Sequence, residues 1–279
     1  MGVDCVPLLY CNTCICSSRE LVSAATEIGL EALAITDHDT FNGYDQAVPD
    51  SADAGLNLVC GIELSTNYCG RSVHLLGYFL QGGPSDEFRQ WIVSLQSGRH
   101  LRNQRLVERL QGQGLRISLE EVQGRSGTLP GRPHFAAVMV EKGYVDSIQQ
   151  AFKGYLGESG ACFVSREEPA FAEATRRIVA AGGLPSLPHP GRVAPDPEFL
   201  TELVCEMRGF GLRAIEAYRS DHSEVDTNFY KGLANKYALA VTGGSDFHGA
   251  LKPKVALGTG IDRRLNVPRS VFDELRRSR

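Results

Sequence analysis

What constrains this chain most is how its short apolar runs end. EALAIT stops at Asp37, NLVCGIEL near Glu63, GGLPSLP before His189, LRAIEAY before Arg219 and YALAVTGG before Ser245. Between the runs, apolar residues recur at helical spacing. Leu21, Val22, Ala25 and Ile28 form one such stripe, with Ser17 or Ser18 as its cap and Gly29 as its stop. PEFLTELVCEMRG and SEVDTNFYKGLANKY read as further helices. Short strands alternating with helices predict a parallel sheet or a barrel. In such folds the loops after the strands converge on one rim, and sites form there. Thirty glycines suit a chain with many tight strand-to-helix turns.

Residues 85–168 break the alternation. Phe88, Trp91, Ile92 and Leu95 make an apolar helical stripe, and Arg99, Arg102, Arg105 and Arg109 follow on roughly one face. Another helix is predicted after Pro133, through AAVMVEKG. The expected organisation is a discontinuous barrel of residues 1–84 and 169–279, with a mostly helical insert, 85–168, covering the active-site face. A chain of 279 residues is long enough for one large domain with such an insert.

Composition narrows the function classes. The chain is 42% hydrophobic and 22% charged, as in ordinary soluble proteins. Its net charge of −4 gives no overall attraction to nucleic acid or anionic membranes, so a nucleic-acid substrate needs a local basic patch. No apolar run reaches the roughly 18 residues that span a bilayer. The N-terminus lacks a basic start followed by an unbroken apolar stretch, so a cytoplasmic protein without membrane contact is expected. Eight cysteines in a chain of this length are expected to be reduced rather than a disulfide scaffold.

The chemistry clusters where strands end. ITDHDT carries Asp37, His38 and Asp39; GIELS carries Glu63; LPHPGR carries His189 and Arg192; GGSDFHG carries Asp246 and His248. His74 lies in the middle of SVHLLGYFL. Each motif alone has an ordinary explanation: a single strand histidine is usually a satisfied core residue, and His-Pro-Gly is often only a turn. Together, imidazole and carboxylate at successive strand ends make the ligand set for zinc, manganese or iron. Glu63 suits the bridging carboxylate that neighbouring ions share. His100, on the arginine-rich helix, reads as part of a solvated face. His222, in YRSDHS, stands between a surface residue and a support for the site.

TDHDT, GIELS, the VHLLGY histidine, HPGR and SDFH, in this order and spacing, resemble the PHP (polymerase and histidinol phosphatase) superfamily. The closer likeness is to its stand-alone bacterial phosphoesterases, which act on nucleotides and RNA ends. It extends over most of the chain and includes GRPHFAAVMVEKG in the insert. The resemblance implies an α/β fold, a distorted (β/α)7 barrel of the PHP type. It implies two or three divalent ions (Mn, Zn or Fe) at the strand ends and hydrolysis of a phosphoester by metal-bound hydroxide. It assigns His38, Glu63, His74, His189, Asp246 and His248 as metal ligands. It assigns Arg132, His134 and Arg192 to the catalytic handling of substrate phosphates; His222 is a further substrate-binding candidate from its own position. The implied substrate is a small nucleotide, such as a nucleoside 3′,5′-bisphosphate, or an RNA or DNA end. No stable protein partner is expected. A non-catalytic phosphate-binding descendant and a histidinol-phosphate phosphatase remain alternatives.

One motif departs from the pattern. The family's first strand reads Asp-Leu-His-x-His, followed by a Ser-Asp-Gly turn. A gapless count back from Arg19-Glu20-Leu21-Val22 puts Asp4 on the family's aspartate. It puts Val6 and Leu8 on the two histidines, Thr13 on the turn aspartate and Cys14 on its glycine. Valine and leucine offer no lone pair, so one ion would keep only Glu63 and Asp246. Cys11, Cys14 and Cys16, with Cys5 before them, are an alternative thiolate or redox set. A misread stretch over residues 5–16, with the family pattern intact on both sides, is a further reading.

Overall fold

The fold was analysed in a computed structural model that describes residues 9–11, 17–125 and 129–277, with backbone alone at 9–11. Asp4, Cys5, Val6, Leu8, Thr13, Cys14 and Cys16 lie outside the described residues, as does the side chain of Cys11.

The strands are β1 (Leu9–Cys11), β2 (Ala32–Ile35), β3 (Asn57–Tyr68), β4 (Arg71–Phe79), β5 (Leu184–Leu187), β6 (Ala214–Arg219) and β7 (Ala240–Gly244). They form one sheet in the order β1-β2-β3-β4-β5-β6-β7, and β1 comes alongside β7, so the sheet curls towards closure. Around it pack α1 (Ser18–Glu27), α2 (Asn42–Ala54), α3 (Asp86–Gly112), α7 (Phe171–Ala180), α9 (Pro197–Gly209), α10 (Glu224–Lys236) and α11 (Arg269–Arg277). The short helices are α4 (Leu119–Gln123), α5 (Arg132–Glu141), α6 (Ile148–Ala151), continued by a π-helical turn (Phe152–Leu156), and α8 (Pro190–Val193). A small hairpin pairs β8 (Val255–Ala256) with β9 (Gly260–Ile261). This is the distorted α/β barrel that the sequence predicts.

Two local devices shape the sheet. Ser17 caps α1 in a capping box with Glu20, each meeting the other's backbone N–H. Cys69 and Gly70, both at positive φ (48° and 80°), make the two-residue turn between β3 and β4. That hairpin corrects the expectation of a wholly parallel sheet, because β4 runs antiparallel to both β3 and β5. It also places Glu63 in the middle of a twelve-residue strand rather than at a strand end. β2 and β3 approach closely at Gly61, where a Cβ would lie 2.5 Å from Thr36 Cγ2 and 2.8 Å from the Ile35 carbonyl oxygen.

Two apolar clusters hold the barrel. One joins Leu21, Leu33, Ile35, Val271 and Leu275; the other joins Ile62, Leu64, Leu75, Phe171, Ile178, Leu203 and Ile215. Residues from the segment between β4 and β5 have a cluster of their own, with Leu106, Leu110, Phe135, Met139, Leu156 and Cys162 all buried. Truncating Phe135 there to alanine would cost about 3–5 kcal/mol. No helix of the described chain is long and apolar enough to cross a membrane.

Candidate metal centre

The backbone carries the site residues to one rim. Beyond β2 the sheet pairing continues through a parallel bridge between His38 and Glu63. The Glu63 N–H donates to the Asp37 carbonyl (3.1 Å), and the Asp39 N–H donates to the Glu63 carbonyl (3.0 Å). Because β4 runs antiparallel, its beginning lies at the rim where the parallel strands end. Ser65 opposes His74 and Glu63 opposes Leu76, so Glu63 and His74 are diagonal neighbours on one face. After β5 and β7 the chain turns sharply. His189 and Asp246 adopt left-handed backbone (φ 35° and 54°), as does Asp39 after β2 (φ 56°). Such geometry costs a non-glycine residue about 1 kcal/mol or more, and it persists only where its surroundings fix it.

Glu63 is the hub. His74 Nδ1 lies 2.7 Å from its Oε1, His189 Nε2 lies 3.3 Å from the same oxygen, and His38 Nε2 lies 3.5 Å from Oε2. His74 Nδ1 and His189 Nε2 are 3.3 Å apart. Donor atoms of His38, Glu63 and His74 all fall within 4.8 Å of one another. Ligands of one tetrahedral ion with bonds near 2.1 Å stand about 3.4 Å apart, so the 3.3 and 3.5 Å spacings fit a divalent cation, whereas the 2.7 Å pair of His74 and Glu63 is a direct hydrogen bond. The Nδ1 atoms of His38 and His189 are buried with no hydrogen-bond partner among the described residues, so protein groups alone do not meet this cluster's polar capacity. The His189 N–H donates to Glu216 Oε2 (2.6 Å), which fixes the strained residue in place.

The electrostatics agree. Burial alone would raise the Glu63 carboxyl, but electrostatic interaction with His38 and His74 and the hydrogen bonds of His189 and His74 outweigh it and hold it well below the usual carboxylate range. Burial lowers His38 to about 3 and also lowers His189, so both keep a free lone pair at neutral pH. For His74, burial works downward but Glu63 raises it.

Asp246 and His248 line the same cavity, about 240 Å³ in volume, together with His38, Glu63, His74 and His189. Their neighbours are different. Asp246 Oδ2 accepts from Arg219 Nη2 (2.6 Å) and Lys252 Nζ (2.7 Å). His248 Nδ1 lies 2.7 Å from the Asp246 carbonyl oxygen. Arg219 is buried and also pairs with Asp221.

The small cavity opens into a larger one of about 1120 Å³, since His38, Ser72, His74, Arg192, His248 and Lys252 line both. Arg99, Arg102, Arg132 and Arg166 enter the larger cavity from the segment between β4 and β5, and Ile148, Phe152 and Phe163 give it an apolar wall. Arg132 sits over the rings of Phe163 and Phe152, at 5.6 and 6.0 Å, and donates to the Leu156 carbonyl (3.3 Å). His134 lines this cavity but is buried, and its Nδ1 accepts the Gly131 N–H (3.0 Å) at the start of α5. Arg192 is half exposed and reaches Asp221 (3.1 Å). His222 lines neither cavity; its Nδ1 lies 2.9 Å from the Ala217 carbonyl oxygen and its ring packs on Tyr230. His100 is exposed.

Several site residues escaped the sequence reading. Arg99 and Arg102 belonged to an arginine stripe, yet both are buried. The available signal was their position: 99, 102, 106 and 110 continue the inward stripe of Phe88 and Ile92. Arg219 was marked only as a strand end, and Arg166 and Lys252 had no comparable signal.

A family model described as PHP domain matches residues 9–155. A 5′-3′ exoribonuclease of Haemophilus influenzae is 30% identical over 248 residues, covering 86% of this chain and 89% of the relative. A 3′,5′-nucleoside bisphosphate phosphatase of Chromobacterium violaceum is 26% identical, covering 82% and 81%. The crystal structure of a Bifidobacterium adolescentis protein assigned as a metal-dependent phosphoesterase superposes with a TM-score of 0.81 at 28% identity, covering 96% of each chain. With matching motifs, fold and relatives, the chain belongs to the PHP family and is a metal-dependent phosphoesterase.

Proposed function

We propose that this protein hydrolyses phosphate esters of small nucleotides, such as nucleoside 3′,5′-bisphosphates, or of nucleic-acid 5′ ends. One observation carries this reading: the Glu63 cluster opens directly into a cationic cavity with an apolar wall, large enough for a nucleotide. Glu63, His38, His74 and His189 would hold a divalent ion, with Asp246 and His248 the candidates for a further one. Such an ion supplies Lewis-acid charge and makes water a nucleophile near neutral pH. Arg192 and Lys252, at the mouth shared by both cavities, meet the charge on the phosphate being cleaved. Arg132, held over Phe152 and Phe163, receives the leaving side of the substrate, and His134 fixes the start of α5 beneath it. On this reading residues 85–168 are an insert that covers the site. The relatives' activities, on RNA and on nucleoside bisphosphates, support the substrate class.

Val6, Leu8 and Thr13 stand where the family resemblance expects metal ligands, so activity of this chain is expected to be impaired. The test is a panel assay of the metal-reconstituted protein. Adenosine 3′,5′-bisphosphate and a 5′-phosphorylated RNA oligomer should be turned over, and histidinol phosphate should not. Val6→His/Leu8→His/Thr13→Asp should raise turnover. Failure on every nucleotide with manganese, zinc and iron alike would remove the proposal.

A further inference from the structure

We propose that the Lys252 ammonium holds the place of a second cation at Asp246, so that the centre fills first at Glu63 and an ion reaches Asp246 only by displacing Lys252. The proposal rests on the reading of Asp246 and His248 as candidates for a further ion. It adds the residue that controls their occupancy.

The backbone makes the contact. Asp246 follows β7 in left-handed conformation (φ 54°). After His248 the chain tightens into a 3₁₀ turn (Gly249–Leu251). The Leu251 N–H donates to the His248 carbonyl (3.2 Å), and the Lys252 N–H donates to the Gly249 carbonyl (3.1 Å). Lys252 thus comes back to a carboxyl six residues before it, and its Nζ donates to Asp246 Oδ2 at 2.7 Å.

Two cations share that oxygen, since Arg219 Nη2 also donates to it at 2.6 Å. They are not equivalent. Arg219 is only 5% exposed; it also pairs with Asp221, and Glu216 lies 3.6 Å from its Nε. It is held from several sides. The Lys252 side chain is 35% exposed, and Asp246 is its one ion-pair partner among the described residues. It lines both the small cavity and the large one. A hydrated head on a flexible four-carbon stem leaves a carboxylate more readily than a buried, planar guanidinium does. Lys252 is therefore the partner that can go.

An ammonium has three donors and no lone pair, so Lys252 compensates the charge of Asp246 but cannot help to ligate an ion. Two cations at one oxygen repel, so an ion entering there loses whatever affinity the Lys252–Asp246 pair contributes. At the other end of the cavity Glu63 is met by the imidazoles of His38, His74 and His189. An ion finds lone pairs there and an ammonium at Asp246. Once displaced, Lys252 stands at the mouth that Arg192 also lines, where a phosphate can take up its charge.

Two measurements test this. The first is calorimetric titration of the metal-free protein with manganese, with metal content of the dialysed protein read by plasma mass spectrometry. The parent should take one ion tightly and a second about 100-fold more weakly. Lys252→Met should tighten the second about tenfold or more and change the first less than about threefold. Lys254→Met removes a lysine that lines the large cavity but not the small one, and it should change neither. An unchanged second affinity in folded Lys252→Met would overturn the proposal. Equal tightening by both variants would make the effect one of general charge and overturn it too. No second ion in either the parent or Lys252→Met would remove the Asp246 site and the proposal with it.

The second measurement needs no variant. Lysine acylation by an N-hydroxysuccinimide ester is followed by peptide mass spectrometry at rising manganese. Lys252 should react slowly until the second ion binds and about tenfold faster afterwards, as the free ammonium becomes populated. Lys254 should react at one rate throughout. A Lys252 rate indifferent to the second ion would show that the ammonium is not displaced, and would sink the proposal. Neither readout involves turnover, so a protein that hydrolyses no phosphoester would defeat the functional reading above and leave this one standing.

Discussion

Glu63 and Asp246 line the same small cavity, and both are almost fully buried. Glu63 is surrounded by three imidazoles, from His38, His74 and His189. Asp246 is held by a guanidinium and an ammonium, from Arg219 and Lys252, with His248 beside it. Both carboxyls lie well below their ordinary range, so acidity alone does not distinguish them. The neighbours do. Imidazole offers a lone pair, so Glu63 and its partners are a donor set that a cation completes. Arginine and lysine offer only donors, so Asp246 already has the charge it needs, and an incoming cation must displace Lys252 or Arg219 to reach Oδ2. The same side-chain chemistry thus sits among lone-pair donors in one place and among cations in the other, according to what the fold sets against it.

Predictions that break or sharpen this contrast can be ranked by size. Glu63→Gln should cut metal affinity and turnover by more than about 100-fold, because the hub of the donor set is lost. Metal content by plasma mass spectrometry that survives the change would refute the hub role. Asp246→Asn should weaken metal binding less than about 10-fold, while costing folding stability because Arg219 and Lys252 lose their acceptor. A metal loss equal to that of Glu63→Gln would erase the contrast between the two ends. Arg192→Ala should raise KM for phosphorylated substrates about 10-fold with kcat nearly unchanged, as its exposed guanidinium binds rather than reacts. An unchanged KM would take it out of the site.

The smallest expected effect concerns a third buried carboxylate, Asp39, which has no imidazole within bonding distance among its described contacts. Burial alone would raise it, but Arg99 and Arg166, with the Ser65 N–H, hold it at about 2 rather than 3.8. A depressed carboxylate stabilises the fold above its unfolded value and loses that contribution as pH falls through its folded value. Asp39 should therefore supply about 2 kcal/mol above pH 4 that disappears as pH approaches 2. Urea unfolding of the protein and of Asp39→Asn should differ most near pH 5 and converge in strong acid. A gap independent of pH would show that the arginines act on Asp39 through packing rather than charge.

The barrel was legible because hydrophobic periodicity is local. EALAIT, YALAVTGG and the stripe of Leu21, Val22 and Ala25 announce strand and helix by spacing alone. His38, His189, Asp246 and His248 could be named because strand ends concentrate polar residues at one rim; Glu63 and His74, inside β3 and β4, were placed in the set by the family resemblance. The antiparallel course of β4 was not foreseen. It depends on Cys69 and Gly70 both taking positive φ, and cysteine carries little signal for that. Arg102 sat in plain view on an arginine-rich helix, yet charge suggests solvent, and only its place on the inward stripe of α3 argues otherwise.

The order of residues thus determined the elements, the fold class and the types of donor atom, because propensity and patterning act over a few neighbouring residues. Which carboxylate faces imidazoles and which faces cations were settled only by tertiary structure. Those outcomes depend on groups far apart in the chain, such as Glu63 and His189 or Arg219 and Asp246, and on how much water the fold removes from between them.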